Sequence, residues 1–300
     1  MKLFYQIIYH PAINYILRNF LKMIRVFFLK TIVMPVSGKI EVKYKKNTIF
    51  LHTNQTCFVS REIFFKGANN YEFTILFEHL VKQSEVFFDI GANIGYFTIL
   101  GETLNHSLKT FSFEPSVGPL YYLNRNIIQN NLKNVVLIDK AVSDIDGRLQ
   151  FYDVVSKKYP WIEYNLNGSN SLQNIHGREK VSSYEVDVIT LASVMAKYNL
   201  DKVDLIKLDT ECTEHLILKS SLDVINKHKP IIICEVYDVI ENEVQECLDK
   251  MDKYELFQYK EKIKKLKRIK NLNEVSNDNL DRNFIFCPQE KRDYISLFIN

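Results

Sequence analysis

The chain has 300 residues, of which 46% are hydrophobic and 25% charged, and its formal net charge is +3. This composition is typical of a globular protein, and so small a charge gives no indication of a nucleic-acid partner. The five cysteines contain no Cys-x-x-Cys pair, so they predict free thiols in a reducing, cytoplasmic setting rather than a disulfide framework.

The first 34 residues are apolar but are interrupted by polar and basic side chains. Residues 3–17 are too short and too polar to span a bilayer. Lys22, Arg25 and Lys30 are scattered through the apolar run that follows, unlike the charges of a cleavable signal. This pattern predicts an amphipathic helix, whose apolar face is expected to pack on the main domain or on a second subunit. The alternative is peripheral contact with an anionic membrane through residues 1–34.

Residues 38–59 alternate between apolar and polar side chains around a Lys-Lys-Asn turn, which predicts a β-hairpin. Asn69 and Asn70 then precede a helical apolar pattern that starts at Phe73, so we expect them to cap a helix.

From Val86 onward, short apolar runs alternate with helical patterns, which predicts an α/β domain with a mainly parallel sheet and helices on both faces. We interpret residues 1–68 as an N-terminal helix and hairpin extension and residues 69–300 as this domain. Strands are predicted at 86–89, 110–113, 135–138, 149–153, 203–208, 230–236, 254–258 and 284–287. Helices are predicted at 94–105, 117–131, 188–199, 213–227 and 238–252.

The strand that begins at Val86 ends in Asp89 and turns through Gly91 and Gly95 into a helix. Glycine allows positive φ and close approach of a ligand to the backbone. The N–H groups at a helix start offer donors to a carboxylate or a phosphate. However, the G-x-G-x-x-G fingerprint of dinucleotide sites is absent, and Asp89 would repel a phosphate.

A second short strand ends in Glu114-Pro115, and in a doubly wound sheet its carboxyl end faces the same crevice. An acid there can accept hydrogen bonds from both hydroxyls of a ribose. S-adenosylmethionine has a ribose, an ammonium-carboxylate end and no phosphate, so it fits these residues. The residues expected to bind this cofactor are Asp89, Gly91, Ala92, Asn93, Gly95, Glu114, Pro115, Ala141 and Val142.

Four segments resemble, in order and spacing, the FkbM-type methyltransferases: FDIGANIGYFTIL (88–100), FEPSVGPLYYLNRNIIQNNLKNV (113–135), AVSDIDGRLQFY (141–152) and DLIKLDTECTEHLILKS (204–220). The resemblance implies a Rossmann-like class I methyltransferase fold with a seven-stranded sheet and an antiparallel last strand. It also implies an S-adenosylmethionine-dependent enzyme that O-methylates a sugar, a glycan or glycolipid, or another hydroxylated metabolite. One departure is Glu211-Cys212-Thr213-Glu214, where the family usually has Glu-Gly-Ala-Glu.

An alcohol that accepts a methyl group must lose its proton to a base, and the candidate bases follow the central strands. Lys207 interrupts an apolar strand and points to the same side as Asp209, as a structural ion pair or as a working pair at the acceptor. Glu235 ends the next strand and is expected to face the same crevice. The candidate catalytic residues are therefore Asp209, Lys207, Glu211 and Glu235.

Other polar residues nearby have simpler interpretations. Glu214 has the position of a helix cap, whereas His215 and His176 are further base candidates. Two or three carboxylates at one edge could bind a divalent ion, but the His/Asp/Asn triplet of known spacing is missing, so no metal is predicted.

Two segments lie outside the predicted core. Residues 154–186 are polar and near the carboxyl side of the sheet, so they are a candidate substrate lid, or alternatively a mobile loop. Residues 259–282 form a basic insertion, expected to be a solvated helix or hairpin face; contact with an acidic substrate, lipid or nucleic acid is the alternative.

Two other functions remain open. Strand-end Lys, Asp and Glu residues could also activate an RNA ribose hydroxyl, but the sequence has no strongly basic face. A non-catalytic S-adenosylmethionine-binding module is the other alternative. The sequence does not indicate an oligomeric state.

Overall fold

A computed structural model describes residues 2–25, 33–168, 170–173, 181–274 and 281–300. Its α-helices are α1 (Lys2–Ile8), α2 (Pro11–Arg25), α3 (Phe58–Lys66), α4 (Thr74–Val81), α5 (Tyr96–Leu104), α6 (Val117–Gln129), α7 (Leu191–Lys197), α8 (Glu214–Ser220), α9 (Leu222–His228) and α10 (Glu241–Leu248). Its strands are β1 (Gly38–Tyr44), β2 (Asn47–Thr53), β3 (Val86–Ile90), β4 (Lys109–Phe113), β5 (Val135–Ile138), β6 (Ala141–Val142), β7 (Gly147–Val154), β8 (Val181–Ile189), β9 (Leu205–Leu208), β10 (Ile231–Glu235), β11 (Tyr254–Lys260), β12 (Lys265–Ile269) and β13 (Asn283–Pro288). Short 3-10 helices cover Ala68–Asn70, Asp238–Ile240, Leu272–Glu274 and Gln289–Phe298.

The main sheet has the strand order β12-β11-β13-β10-β9-β3-β4-β5. Strands β5, β4, β3, β9 and β10 pair in parallel, and every residue of β3 and β9 is buried. Apolar runs such as these form central strands because helices cover both faces of the sheet. Phe87 and Phe88 accordingly enter separate hydrophobic clusters on the two faces. The α/β class and the predicted parallel centre are confirmed.

Strand β13 lies antiparallel between β10 and β11, so the expected antiparallel last strand is confirmed. Strand β12 adds an eighth strand to the predicted seven. It arises from the basic insertion, whose residues 261–264 turn the chain back onto β11. Leu266 and Ile269 are buried while Ile263 is exposed, so the hairpin interpretation of this run is correct for its described part.

A separate three-stranded sheet, β6-β8-β7, carries the segment predicted as a strand at 149–153. The sequence did not predict β8. Residues 181–186 were assigned to the lid, and 188–189 to a helix that instead begins at Leu191. Alternation of polar and apolar residues in Val181–Ile189 fits a strand with one covered face, which the loop-like sequence before it obscured.

The predicted hairpin is confirmed as β1 and β2, joined by a tight turn at Lys45 and Lys46. It packs on α6, where Asn126 and Asn130 exchange hydrogen bonds with the backbone of β2. The prediction of asparagine caps is wrong. Asn70 lies in a 3-10 helix, and α4 begins only at Thr74.

The apolar face expected for residues 19–34 contains Phe20, Leu21, Ile24, Phe27 and Phe28, and of its described members Phe20 is exposed while Leu21 and Ile24 are half-buried. Ile16 and Phe20 are exposed to 67% and 56%, whereas Asn14 and Arg18 are buried. Residues 26–32 lie outside the described residues. Within the described ranges, no helix has the length and apolar character needed to cross a membrane.

Candidate active site

A cavity of about 390 Å³ lies at the carboxyl ends of the parallel strands, where open α/β sheets bind ligands. Nine of the predicted site residues line it: Gly91, Asn93, Glu114, Pro115, Ala141, Val142, Asp209, Glu211 and Glu235. The other four do not line it: Asp89, Ala92, Gly95 and Lys207.

The carboxylate of Glu114 is held by the backbone of two neighbouring turns. Its Oε2 accepts a hydrogen bond from the Asn93 N–H (2.8 Å), and its Oε1 accepts one from the Ser116 N–H (2.9 Å). Burial nevertheless raises the pKa of Glu114 to about 7, because these bonds only partly replace lost water. The result is an oriented acid at the tip of β4, with acceptor capacity left for a ligand.

The turn between β3 and α5 has positive φ at Gly91 (75°), Asn93 (51°) and Gly95 (87°). Any Cβ on Gly91 would lie 1.8 Å from the carbonyl oxygen of Asp209. A Cβ on Gly95 would lie 2.4 Å from Leu123 Cδ1. Both glycines are therefore required for packing, and only Gly91 lies against the cavity.

Asp89 was expected to contact the methionine end of the cofactor, but the structure places it beneath the cavity. It is 1% exposed, and its Oδ2 accepts a hydrogen bond from Thr98 Oγ1 (2.6 Å). Lys207 Nζ lies 3.6 Å from Asp89 Oδ1 and donates to the Gly91 carbonyl at 3.2 Å. Asp89 therefore stabilises a buried lysine rather than the cavity wall.

Lys207 also pairs with Asp209, at 3.1 Å between Nζ and Oδ2. Burial alone would lower the pKa of Lys207, but the charges of Asp209 and Asp89 raise it above its ordinary value. The lysine thus stays protonated and holds the Asp209 carboxylate at the cavity floor.

Asp209, Glu211 and Glu235 bring carboxylate oxygens within 4.8 Å of one another. Burial, reinforced by the charge of Asp209, raises the pKa of Glu235 well above its ordinary value. Burial and Asp209 also raise the pKa of Glu211 to about 8. These shifts favour the protonated form of Glu235, which is hydrogen-bonded to Asp209.

Glu72 also lines the cavity, and sequence reasoning missed it. Burial, helped by the charge of Asp209, raises its pKa to about 7. It adopts φ of 39°, unusual for glutamate, and its carbonyl accepts hydrogen bonds from Tyr259 (3.4 Å) and Lys264 (3.1 Å). These partners are almost 200 residues away in the chain, so no local pattern could reveal the site.

The described part of the predicted lid covers the cavity. Leu166, Asn167 and Gly168 line it, and the Leu166 N–H donates to Thr56 Oγ1 at 2.7 Å. Ser171 Oγ donates to the Glu211 carbonyl at 2.6 Å, so the segment is tied to the turn after β9.

The remaining base candidates are His176 and His215. His176 lies outside the described residues. His215 does not line the cavity, and burial lowers its pKa. Glu214 is fully buried and accepts hydrogen bonds from the N–H and hydroxyl of Thr210, which fits the structural role considered for it.

The turn that departs from the family pattern has left-handed backbone at Glu211 (φ 55°) and Cys212 (φ 75°). A glycine would adopt φ of 75° without steric cost, whereas an L-residue pays about 1–2 kcal/mol. The turn therefore keeps a glycine-like conformation although the glycine is absent.

The charged side chains that line the cavity indicate which ligand charge it favours. Among the described residues, five acids and only one lysine line the wall: Glu72, Glu114, Asp209, Glu211, Glu235 and Lys140. Such a lining attracts a cation and disfavours a pyrophosphate. A cavity of this size, with an oriented acid at the tip of β4, has room for a cationic ligand of adenosine size.

A family model described as Methyltransferase FkbM domain matches residues 89–264. The 31-O-demethyl-FK506 methyltransferase FkbM of Streptomyces tacrolimicus is 26% identical over 178 residues, which are 53% of this chain and 68% of that protein.

Two solved structures are similar at lower levels. A methyltransferase FkbM from Methylobacillus flagellatus KT has a TM-score of 0.42 at 17% identity, and the match covers 68% of this chain but only 43% of that one. M. jannaschii TYW2, in complex with AdoMet, has a TM-score of 0.39 at 14% identity, over 85% of this chain and 87% of that one. Because the family model covers more than half of the residues, the chain belongs to the FkbM methyltransferase domain family and is a methyltransferase whose cofactor is S-adenosylmethionine.

Proposed function

We propose that the chain transfers a methyl group from S-adenosylmethionine to a hydroxyl group of a sugar, a glycan or glycolipid, or another hydroxylated metabolite. The observation that carries the proposal is the cluster of Asp209, Glu211 and Glu235 at one end of an acid-lined cavity. A carboxylate next to a protonated partner is suited to take a proton from an alcohol. The acceptor class follows the family resemblance and the name of the Streptomyces relative.

The cofactor supplies an electrophilic methyl group on a sulfonium centre. Within the proposal, the ionised Glu114 accepts hydrogen bonds from the ribose hydroxyls. Lys140, Ala141 and Val142 flank the adenine. Gly91 and Asn93 form the wall at the methionine end, where bare backbone permits close approach.

Asp209 is the proposed base. Its side chain is 38% exposed, so it can meet an acceptor, and its other contacts hold it in place. Lys207 pairs with it from below, and Glu235 donates a hydrogen bond to it. Lys207 is accordingly a positioning residue rather than a catalytic one, because it does not line the cavity. Glu211 and Glu72 complete the acidic wall around the acceptor.

The acceptor is either free or lipid-linked within this proposal. The sequence expectation of peripheral membrane contact through residues 1–34 bears on the lipid-linked case. A cytoplasmic location stays a prediction.

The test is methyl transfer from radiolabelled S-adenosylmethionine to a panel of glycans, glycolipids and small alcohols. The wild type should label a hydroxyl acceptor. Asp209→Asn should bind the cofactor normally but lose about 10²–10⁴-fold in turnover, because the proton acceptor is gone. Unchanged turnover in Asp209→Asn would exclude Asp209 as the base. Labelling of RNA alone would show that the acceptor is RNA rather than a sugar, glycan, glycolipid or metabolite. Asp223→Asn, on helix α9, is the matched control.

A further inference from the structure

Helices α1 and α2 turn apolar side chains toward solvent. On α2, Ile13, Ile16 and Phe20 are three and four residues apart and therefore lie on one face of the helix. We name the exposed set the outward apolar face: Leu3, Phe4, Ile7, Ile13, Ile16, Phe20 and Met23. Contiguous exposed apolar patches of this kind mark interaction sites.

The orientation of α2 is fixed by buried polar contacts on its other side. Arg18 Nη1 donates to the Ser37 carbonyl (2.5 Å), and Nη2 donates to the Lys39 carbonyl (2.6 Å). Asn14 Oδ1 accepts a hydrogen bond from the Ser37 N–H at 2.8 Å. Rolling the helix to bury its apolar side would leave a guanidinium without acceptors, which is costly. The outward apolar face is therefore a property of the fold.

The segment that carries this face is strongly basic. Residues 1–40 contain six basic side chains and no acidic one. Lys22 lies on α2, with its Nζ 4.5 Å from the ring centre of Phe64, and Lys2 lies at the start of α1, 6.0 Å from the Trp161 ring. Both lysines are exposed, but Lys22 lies with Arg18 on the side of α2 that faces Phe64, so the positive charge of α2 lies beneath its outward apolar face.

An aromatic cluster joins α1 to the segment that covers the cavity. Tyr5 stacks on Trp161 at 6.3 Å between ring centres, and Tyr9 meets Tyr159 edge-on at 5.5 Å. Tyr9 and Tyr159 are buried, so this cluster anchors α1 to the domain, and only Tyr5 and Trp161 are half-buried at its edge.

We propose that the outward apolar face docks on the surface of an anionic lipid bilayer, with α1 and α2 lying in the head-group plane. Exposed apolar side chains on a segment that carries basic and no acidic residues are the features of such helices. A second copy of the chain fits less well, since a symmetric contact would bring two acid-free basic segments together.

Docking here also suits the cavity. Helix α3 joins the two sites: Phe58 at its start lines the cavity and is 55% exposed, and Phe64 near its end lies under α2. Six residues of helix separate them, about 9 Å. We extend the proposal to a lipid-linked acceptor that reaches the cavity from the docked side; this last step rests on the proposed function, whereas docking does not.

The experiment is co-sedimentation of the full chain with vesicles of phosphatidylcholine alone or mixed with phosphatidylglycerol. The wild type should bind the mixed vesicles about tenfold more tightly, and high salt should weaken the binding. Ile16→Glu combined with Phe20→Glu should reduce binding at least about tenfold. The matched control is Ile128→Glu, which is also 67% exposed and also helical but lies on α6.

Three results would overturn the proposal: no vesicle binding by the wild type, equal losses in the control, or a wild-type dimer that Ile16→Glu dissociates without any vesicle binding. The affinity of each variant for S-adenosylmethionine, measured by calorimetry, separates a failure of membrane docking from a failure of the proposed function. Loss of vesicle binding with intact cofactor affinity concerns docking alone.

Discussion

Gly91 and Asp209 touch through bare backbone: a Cβ at Gly91 would lie 1.8 Å from the Asp209 carbonyl oxygen. The tips of β3 and β9 thereby join at the cavity floor, directly above the buried pair of Lys207 and Asp89. The wall expected to hold the cofactor and the proposed base are thus parts of one packed contact.

Gly91→Ala should destabilise the fold in two ways: alanine disfavours the positive φ of this position, and its methyl group clashes with the Asp209 carbonyl. Something must shift when a methyl group meets a carbonyl, so we expect a loss of at least about 2–3 kcal/mol in unfolding free energy and weaker cofactor binding. Gly67→Ala is the control, because Gly67 has φ of 84° but no atom near its added Cβ. Urea unfolding of both variants measures the difference, and equal losses would contradict the packing role.

Lys207→Met should destabilise the fold by about 3–5 kcal/mol, because it leaves Asp89 buried without its opposite charge. Lys43→Met, at an exposed pair with Glu41, should cost less than about 1 kcal/mol. Combining Lys207→Met with Asp89→Asn should recover much of the loss. Thermal unfolding of the three variants provides the comparison; a double variant no more stable than Lys207→Met would show that the pair is not the cause.

Cofactor binding should release protons near neutral pH. The pKa values of Glu72 and Glu114 are about 7, so below that pH both carboxyls are largely protonated. A bound sulfonium cation favours their ionised forms. Calorimetry in buffers of different ionisation enthalpy should therefore detect proton release at about pH 6.5 that vanishes at about pH 9. Equal proton uptake at both pH values would contradict the acidic cavity.

The free energy of unfolding should fall as pH rises from about 4.5 to about 7. The pKa of Glu114 and of Glu214 is raised to about 7 by burial, so in this window the folded chain holds protons that the unfolded chain has lost. The stability is fully present below the ordinary pKa of glutamate and is lost through the folded pKa. Each group contributes up to about 3 kcal/mol.

Urea unfolding at the two ends of that window measures this contribution. Glu214→Gln should flatten the pH dependence, whereas Glu290→Gln, at an exposed position, should leave it unchanged. A steeper fall of the unfolding free energy with pH in Glu214→Gln would contradict the raised pKa of Glu214.

The sequence predicted the parts of the fold that depend on local pattern. The apolar run ending in Asp89, the two glycines and Glu114 predicted the strand tips, because burial on both sheet faces requires continuous apolar residues. Strand β8 was not predicted, since its alternating residues follow a long polar segment and pair only with β6 and β7.

The site was predicted less completely than the fold. The side chain of Asp89 points beneath the sheet tip rather than into the cavity, which depends on where Lys207 and Thr98 lie. Glu72 comes from a turn before the domain's first strand and reaches the cavity only through tertiary packing. The solvent-facing position of Ile16 and Phe20 was not predicted, because Asn14 and Arg18 form hydrogen bonds with Ser37 and Lys39, which only the tertiary structure shows.

The most direct test of the central claim is calorimetric titration of S-adenosylmethionine and of NAD into the wild type and Glu114→Ala, with Glu85→Ala, at the exposed residue just before β3, as control. The wild type and Glu85→Ala should bind S-adenosylmethionine with a Kd on the order of micromolar and ignore NAD. Glu114→Ala should bind it about 10–100-fold more weakly while remaining folded, because the ribose hydroxyls lose their charged acceptor. Wild-type affinity in a folded Glu114→Ala would contradict the placement of the cofactor, and tight NAD binding would contradict the ligand class.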